Sequence, residues 1–354
     1  MTSVTDEKTL DTLYRDFAAA DLAPLWTQPD DLMPTEPRPQ ARPHVWRWAN
    51  LHRLAERAGE LVPVGQGGER RAIALANPGL AGRPYATPTL WAAIQYLGPH
   101  EVATSHRHTQ GAFRFILDGE GVWTNVNGDA VAMRRGDLLL TPSWCWHEHH
   151  NRTGRPMAWL DGLDIPLVAE LNAGFFELGA PELATTATPD RSRNERLWGH
   201  PGLRPLGAPD QPNSPLAAYR WAHTDAALTA QLELQAEGVQ AGGRPGHAAV
   251  RFSNPTTGGD ALATMRTEMH RLDAGVQLPP RRTVGSAVWQ VFTGTATFDL
   301  DGERVSADTG DLVAVPSWCA LGIEADGRAD LFRFSDDPVY ERLNLSRSSA
   351  AEPW

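Results

Sequence analysis

The feature that most constrains the fold of this chain is a repeat. Gly136-Asp137-Leu138 and Pro142-Ser143-Trp144-Cys145 recur as Gly310-Asp311-Leu312 and Pro316-Ser317-Trp318-Cys319, each position displaced by 174 in a chain of 354 residues. Each copy then runs through an acidic pair into Pro166 or Pro338 and a short helical stretch containing Leu171-Asn172 or Leu343-Asn344. A tetrapeptide recurs by chance, whereas a matched order of strands, turns and helix reports a duplicated unit. β-Forming runs at 89–97, 112–117, 121–126, 137–140 and 157–160 are answered by runs at 265–272, 286–292, 296–300, 311–315 and 330–334. Asp118-Gly119 and Asn127-Gly128-Asp129 have hairpin-turn composition. Short strands with turns every 8 to 12 residues predict a sandwich or barrel, so the chain reads as an internally duplicated β-barrel.

The flanks have a different character. Leu10, Leu13, Tyr14 and Phe17 recur at helical spacing within 9–20, and Leu51, Leu54, Ala55 and Ala58 do so ahead of Gly59, which reads as a helix stop. The proline-rich stretch 30–43 between them reads as extended. The expected organisation is a helical arm over 1–85, a first barrel over 86–184, a connector over 185–259 with one helix at 225–237, and a second barrel over 260–354. With 32 basic against 43 acidic residues and a net charge of −11, the chain lacks the cationic surface that binds a phosphate backbone, so no nucleic acid partner is expected. No apolar run approaches the roughly 18 residues of a membrane span, and no secretory leader pattern opens the chain, so a soluble, cytoplasmic protein with no membrane partner is expected. Cys145 and Cys319 are too few for a disulfide framework or a thiolate metal site, and their equivalent places in the repeat suggest packing.

The candidate chemistry lies in the first block. His106-Arg107-His108 follows the 89–97 run, and His147 follows Pro142-Ser143-Trp144-Cys145-Trp146. Alternate residues of an extended chain share a face, so His106 and His108 reach one ion if His147 comes from a strand across the barrel. Three imidazoles on one face of an ion leave further positions open. Three separate surface or core histidines are the competing reading. The 174-residue displacement carries His106 to Pro280, His108 to Arg282 and His147 to Leu321, so the second block is expected to keep the barrel without the ion.

This region resembles the cupin superfamily. One cupin signature (Gly, five residues, Pro, one residue, Gly, two residues, His, three residues, Asn) is met by Gly136, Pro142, Trp144 in the place of the last glycine, His147 and Asn151. The other signature follows His-x-His with a Glu where this chain has Ala112 and Phe113, which implies a three-histidine site without the usual fourth ligand. The implied fold is mainly β: a bicupin of two double-stranded β-helix (jelly-roll) barrels with an N-terminal helical arm. The closer resemblance is to the bicupin ring-cleaving dioxygenases of gentisate, salicylate and 1-hydroxy-2-naphthoate. It covers nearly the whole chain, through Trp46-Arg47-Trp48, Arg70-Arg71, Asn77-Pro78-Gly79, the run from Thr89 to Gln95, His106-Arg107-His108-Thr109-Gln110, Arg114-Phe115, Trp146-His147-Glu148-His149 and the run from Asp161 to Pro166.

That resemblance implies Fe(II) on His106, His108 and His147, with positions left for a small aromatic hydroxy acid and O2. Gentisate opened between its carboxyl- and hydroxyl-bearing carbons to maleylpyruvate is the expected reaction. Salicylate, a substituted salicylate or 1-hydroxy-2-naphthoate as substrate is the alternative, and a non-catalytic ligand-binding bicupin is a second one. Arg114 and Arg70 are the candidates to hold the substrate carboxylate, with the inward member of Arg70-Arg71 left open. His149, two residues beyond His147 on the same face, is either an acid/base for the bound oxygen or a hydrogen-bonding support, and His150 is expected on the opposite, exposed face. Asp161 is a candidate catalytic group, as acceptor for a ring hydroxyl or partner of Arg114. Trp91, Ala93 and Gln95 share one strand parity and are expected to line the pocket. The family is commonly tetrameric, so a homotetramer is expected.

Overall fold

Residues 4–28, 32–64, 71–179, 191–240 and 243–350 are described by the structure, a computed structural model. They fall into two compact units, Met1–Arg38 and Pro39–Trp354. The first holds the helix Val4–Ala19, whose Phe17 ring meets Trp26 edge-on at 6.0 Å.

The second unit is mainly β and contains two barrels, each made of a six-stranded and a five-stranded antiparallel sheet. In the first barrel the six-stranded sheet runs Ala218–Tyr219, Leu138–Thr141, Ala112–Asp118, Met157–Leu163, Trp91–Leu97, Ala72–Ala74. The five-stranded sheet runs Phe176–Leu178, Val102–His108, His147–Asn151, Glu120–Val126, Asp129–Arg134. The second barrel repeats this order with His44–Trp46, Leu312–Val315, Ala287–Thr293, Ala329–Ser335, Arg266–Leu272, His247–Arg251, and with Ser348–Ala350, Gln277–Thr283, Leu321–Ala325, Thr295–Leu300, Glu303–Asp308.

The six-stranded sheets pack against each other, which explains why central strands such as Ala112–Asp118 and Ala287–Thr293 are buried along nearly their whole length rather than at alternate residues. In Ala112–Asp118, Phe113 and Phe115 face the second barrel while Arg114 faces the interior of its own. Phe115 stacks on Phe332 at 4.1 Å with the rings 3° from parallel, and Phe113 meets Phe334 at 4.9 Å. These rings belong to one buried cluster shared by both barrels, and each barrel has a smaller cluster inside it.

The duplicated unit is larger than a barrel. His44–Trp46 pairs with Leu312–Val315 of the second barrel, and Ala218–Tyr219 pairs with Leu138–Thr141 of the first. After each strand comes the same lock. Arg47 Nη1 and the Trp48 N–H donate to the two oxygens of Asp311 at 2.7 and 2.8 Å, and Arg220 Nη1 and the Trp221 N–H donate to those of Asp137 at 2.5 and 2.9 Å. The helices Trp48–Leu61 and Trp221–Ala236 begin there. Their first tryptophans cover Gly310 and Gly136, at φ +95° and +84°, where an added Cβ would fall 2.3 Å from Trp48 Cγ and 2.8 Å from Trp221 Cγ. The segment preceding each barrel therefore docks on the other barrel. Residues 39–64 and 218–240 are woven into the barrels, and of the expected arm only 1–38 stands as a separate unit.

Strand register corrects the sequence alignment of the repeats. His106 lies opposite His147 and Leu178, whereas Arg281 lies opposite Leu321 and Ala350. His106 thus corresponds to Arg281 and His108 to Thr283, not to Pro280 and Arg282. The cause is a bulge between Glu120 and Trp123 that adds one residue to the first barrel, so the displacement is 175 between Trp91 and that bulge and 174 from there to His147. Two further expectations shift for local reasons. Gly59 lies inside Trp48–Leu61, where an added Cβ would sit 2.7 Å from the Tyr96 ring, so it permits close packing and does not stop the helix. Asn172 and Asn344 lie just beyond the helices Ile165–Glu170 and Asp337–Arg342, at φ +53° and +57°, and terminate them.

Candidate active site

His106 and His108 alternate along Val102–His108, and His147 opens the adjacent strand directly opposite His106. Their ring centroids lie 4.2 Å (His106 to His147), 4.9 Å (His108 to His147) and 5.6 Å (His106 to His108) apart, and one ring nitrogen of each lies within 4.8 Å of the others. Each Nδ1 donates to a main-chain carbonyl: His106 to Thr104 at 2.8 Å, His108 to Gln110 at 2.9 Å and His147 to Cys145 at 3.0 Å. A carbonyl only accepts, so the proton of each neutral ring sits on Nδ1 and the Nε2 lone pair is left for an ion. His147 Nε2 is buried without a hydrogen-bond partner, an omission that an ion repairs. Burial, then the nearby charge of Arg114, holds His147 well below the usual imidazole range and keeps it neutral. Three neutral imidazoles, with buried Ala112 and Phe113 where a fourth carboxylate ligand would stand, form a three-histidine site for a divalent transition metal.

The triad opens into a cavity of about 1000 Å³ that is also lined by Trp91, Gln95, Arg114, His149 and Asp161. Arg114 and Asp161 are in register on neighbouring strands, with Nε and Oδ1 3.5 Å apart. Arg114 donates from Nη1 to Thr141, and its buried Nε has no hydrogen-bond partner, so the guanidinium is only partly committed. Asp161 Oδ1 accepts from Trp159 Nε1 at 3.0 Å. Burial raises the Asp161 carboxyl to about 6 against the opposing pull of Arg114 and Trp159. His149 is buried on the His147 side, edge-on to Trp159 at 5.3 Å, and burial followed by Arg114 pushes it well below the usual range.

The remaining predicted site residues are placed as follows. Ala93 shares the parity of Trp91 and Gln95 but is fully buried, with Asp161 and Ala74 opposite it on the neighbouring strands, and does not line the cavity. Arg70 lies outside the described residues. Arg71 is buried and engaged with Glu101 and the Val62 carbonyl. His150 is not exposed, contrary to expectation: it stacks on Trp123 at 5.1 Å, with Glu148 at 3.1 Å, and the Arg152 guanidinium lies 5.5 Å from the Trp123 ring centroid. Sequence reasoning missed Gln110, Ile165, Phe175 and Phe176, which also line the cavity. Phe176 belongs to a three-residue strand paired along His106–His108, too short to leave a periodic signal.

Trp144, in the place of a signature glycine, has φ +62°, and its counterpart Trp318 has φ +67°. The backbone keeps the left-handed turn that glycine adopts freely. Arg107 lies over the Trp144 ring at 4.4 Å and over Trp146 at 4.6 Å.

Comparison with known proteins agrees with this site. The cupin domain family matches residues 93–163, the segment that carries all three histidines. A gentisate 1,2-dioxygenase of Streptomyces sp. is 69% identical over 348 residues, covering 98% of this chain and 97% of its own. The chain belongs to the gentisate 1,2-dioxygenase family. It is thereby an enzyme, a dioxygenase of cupin fold with a three-histidine metal site. Within the same family, a 5-aminosalicylate 1,2-dioxygenase of Comamonas sp. is 35% identical, covering 96% of this chain and 90% of its own. The solved salicylate 1,2-dioxygenase of Pseudoaminobacter salicylatoxidans, in its adduct with gentisate, superposes with a TM-score of 0.95 at 54% identity, covering 100% of this chain and 96% of its own. Among the described residues no helix is long and apolar enough to cross a membrane.

Proposed function

We propose that this chain is an Fe(II)-dependent gentisate 1,2-dioxygenase that adds both atoms of O2 across the bond between the carboxyl- and hydroxyl-bearing carbons, giving maleylpyruvate. The observation that carries the reading is the convergence of three Nε2 atoms beside a buried, partly committed arginine in one cavity. Fe(II) held by His106, His108 and His147 would leave positions for two substrate oxygens and for O2 and would relieve the spin barrier between triplet O2 and the ring, the ring itself supplying the electrons that reduce O2.

The chain's own groups then divide the work. Arg114 holds the substrate carboxylate by a charge-assisted bond and fixes the approach of the ring. Arg71 is engaged with Glu101, which leaves Arg70 as the member of that pair to add a second positive charge. His149, kept neutral by burial and by Arg114, accepts a hydrogen bond from the 2-hydroxyl as the acid binds and so orients the ring. Asp161 accepts from the 5-hydroxyl and steadies Arg114. Trp91 and Gln95 bound the ring, and Ala93 acts through the position of Asp161 beside it. A homotetramer in the cytoplasm completes the reading.

A second substrate reading has its own support, since the solved relative is a salicylate 1,2-dioxygenase. A buried acceptor left without the 5-hydroxyl would cost about 1 to 3 kcal/mol with salicylate, which favours gentisate. Comparison of kcat/KM for gentisate, salicylate and 1-hydroxy-2-naphthoate under saturating Fe(II) tests this, and a preference for either of the latter two would overturn the substrate assignment.

A further inference from the structure

The three candidate ligands are not held alike. His106 and His147 rest Nδ1 on carbonyls two residues earlier in the chain. His108 rests on Gln110, in the turn that joins Val102–His108 to Ala112–Asp118. The Gln110 carbonyl and the Gly111 N–H are two ends of one planar amide, so fixing one end orients the other. The Gly111 N–H donates to Asp164 Oδ1 at 3.0 Å, and Asp164 Oδ2 accepts from Thr264 Oγ1 at 2.6 Å. Asp164 is buried, and Thr264 belongs to the second repeat, just ahead of Arg266–Leu272.

We propose that Thr264 and Asp164 are positioning residues for His108, so that the second barrel orients a metal ligand of the first. The inference rests on His106, His108 and His147 being the ligand set. Thr109 ties the same turn to its own barrel, through its N–H to the Phe175 carbonyl at 3.1 Å and its hydroxyl to the Ala173 carbonyl at 2.9 Å. Those bonds hold Thr109 and leave the Gln110–Gly111 amide to other contacts. Asp164 is the partner of the Gly111 N–H among the described residues, and so grips the amide whose carbonyl sets the His108 ring.

The duplication supplies an internal control. Asp336 Oδ1 accepts from the Ser286 N–H at 2.7 Å, and its other oxygen accepts from the Thr89 hydroxyl of the first repeat. That twin leads toward Thr283, the counterpart of His108, which is no imidazole. The two bridges therefore have similar architecture, and only one ends on a ligand.

The test is Co(II) titration of the full-length, metal-stripped protein, read by the visible ligand-field bands. Wild type is expected to take one Co(II). Thr264→Val should weaken binding about 10-fold, the scale of outer-shell effects on metal affinity, and shift the bands. Thr264→Ser should restore both, and Thr89→Val should leave both at wild-type values. Wild-type affinity and bands in Thr264→Val and Asp164→Ala would overturn the proposal, as would an equal loss in Thr89→Val. A wild-type protein that takes no Co(II) would instead overturn the ligand set itself.

Discussion

Strand register pairs each inward residue of the first barrel with one of the second: Trp91 with Arg266, Ala93 with Glu268, Gln95 with His270, Arg114 with Trp289 and Asp161 with Arg333. In the second barrel the charged groups are satisfied by ion pairs, while His270 Nε2 and Trp289 Nε1 are buried without hydrogen bonds. Arg333 binds Glu268, and Asp337 at 2.9 Å, while Arg266 binds Asp260 at 2.8 Å and Glu341 at 2.7 Å. Trp289 fills the place of Arg114, and the cavity that remains beside Arg333 is about 260 Å³. In the first barrel the corresponding groups stay incompletely partnered around a space of about 1000 Å³: His147 Nε2, His149 Nδ1 and Arg114 Nε are buried without hydrogen bonds. Inward polar groups need partners from somewhere. The inward charges of the second barrel take theirs from ion pairs of its own, and under the proposed function those of the first take them from metal and substrate.

The sharpest way to break this comparison is at the ligands. His147→Ala should remove the metal and lower turnover by more than the roughly 100-fold that outer-shell losses cause. Leu321→Ala, at the matching place, should leave metal content and turnover unchanged. Metal analysis and oxygen uptake check both.

Arginine substitutions should separate function from stability. Arg114→Met is expected to cost about 2 kcal/mol of transition-state binding, some 30-fold in kcat/KM, with a smaller loss of unfolding free energy than Arg333→Met because the Asp161 carboxyl, already raised to about 6, can take up a proton. Arg333→Met strands Glu268 and Asp337 and should lower stability by about 3 kcal/mol in denaturant unfolding while kcat/KM stays near wild type. Similar losses on both readouts in both variants would abolish the distinction.

The shared part of the barrels should respond alike. Gly136→Ala and Gly310→Ala each force a Cβ into Trp221 or Trp48 at a positive φ, and each should cost about 1 to 3 kcal/mol of stability. Unequal losses in the two would show that the exchanged segments are not equivalent.

The smallest effect is in pH. With the Asp161 carboxyl at about 6, kcat/KM should fall as pH drops below 6 and the charge that steadies Arg114 is lost. Because the folded value lies above the unfolded 3.8, Asp161 favours the folded state most below pH 4, and that contribution is lost as pH rises through 6. Asp161→Asn should flatten both dependences.

Much of this was legible in the chain. The 174-residue repeat and the turn glycines are local features, and they carried the two barrels. His-x-His with a distant third histidine carried the metal site, because alternation along a strand is enough to put His106 and His108 on one face. What escaped notice was set by tertiary contact. The strand Gln277–Thr283 contains Pro279 and Pro280, which argue against a strand until the bulge between Leu278 and Arg281 is seen to spare them ladder bonds. The bulge at Glu120 to Trp123 shifted the repeat by one residue without changing any motif. His150 alternates with His149 and so points away from the cavity, but Trp123, which covers it there, comes from the neighbouring strand Glu120–Val126.

The central claim is that one barrel carries the chemistry and the other does not. Anaerobic titration of the metal-stripped chain with Fe(II), followed by oxygen uptake on gentisate, tests it most directly. Activity should rise linearly and stop at one Fe(II) per chain, with one O2 consumed per gentisate. A break at two Fe(II) per chain, or full activity with no added metal, would contradict the account.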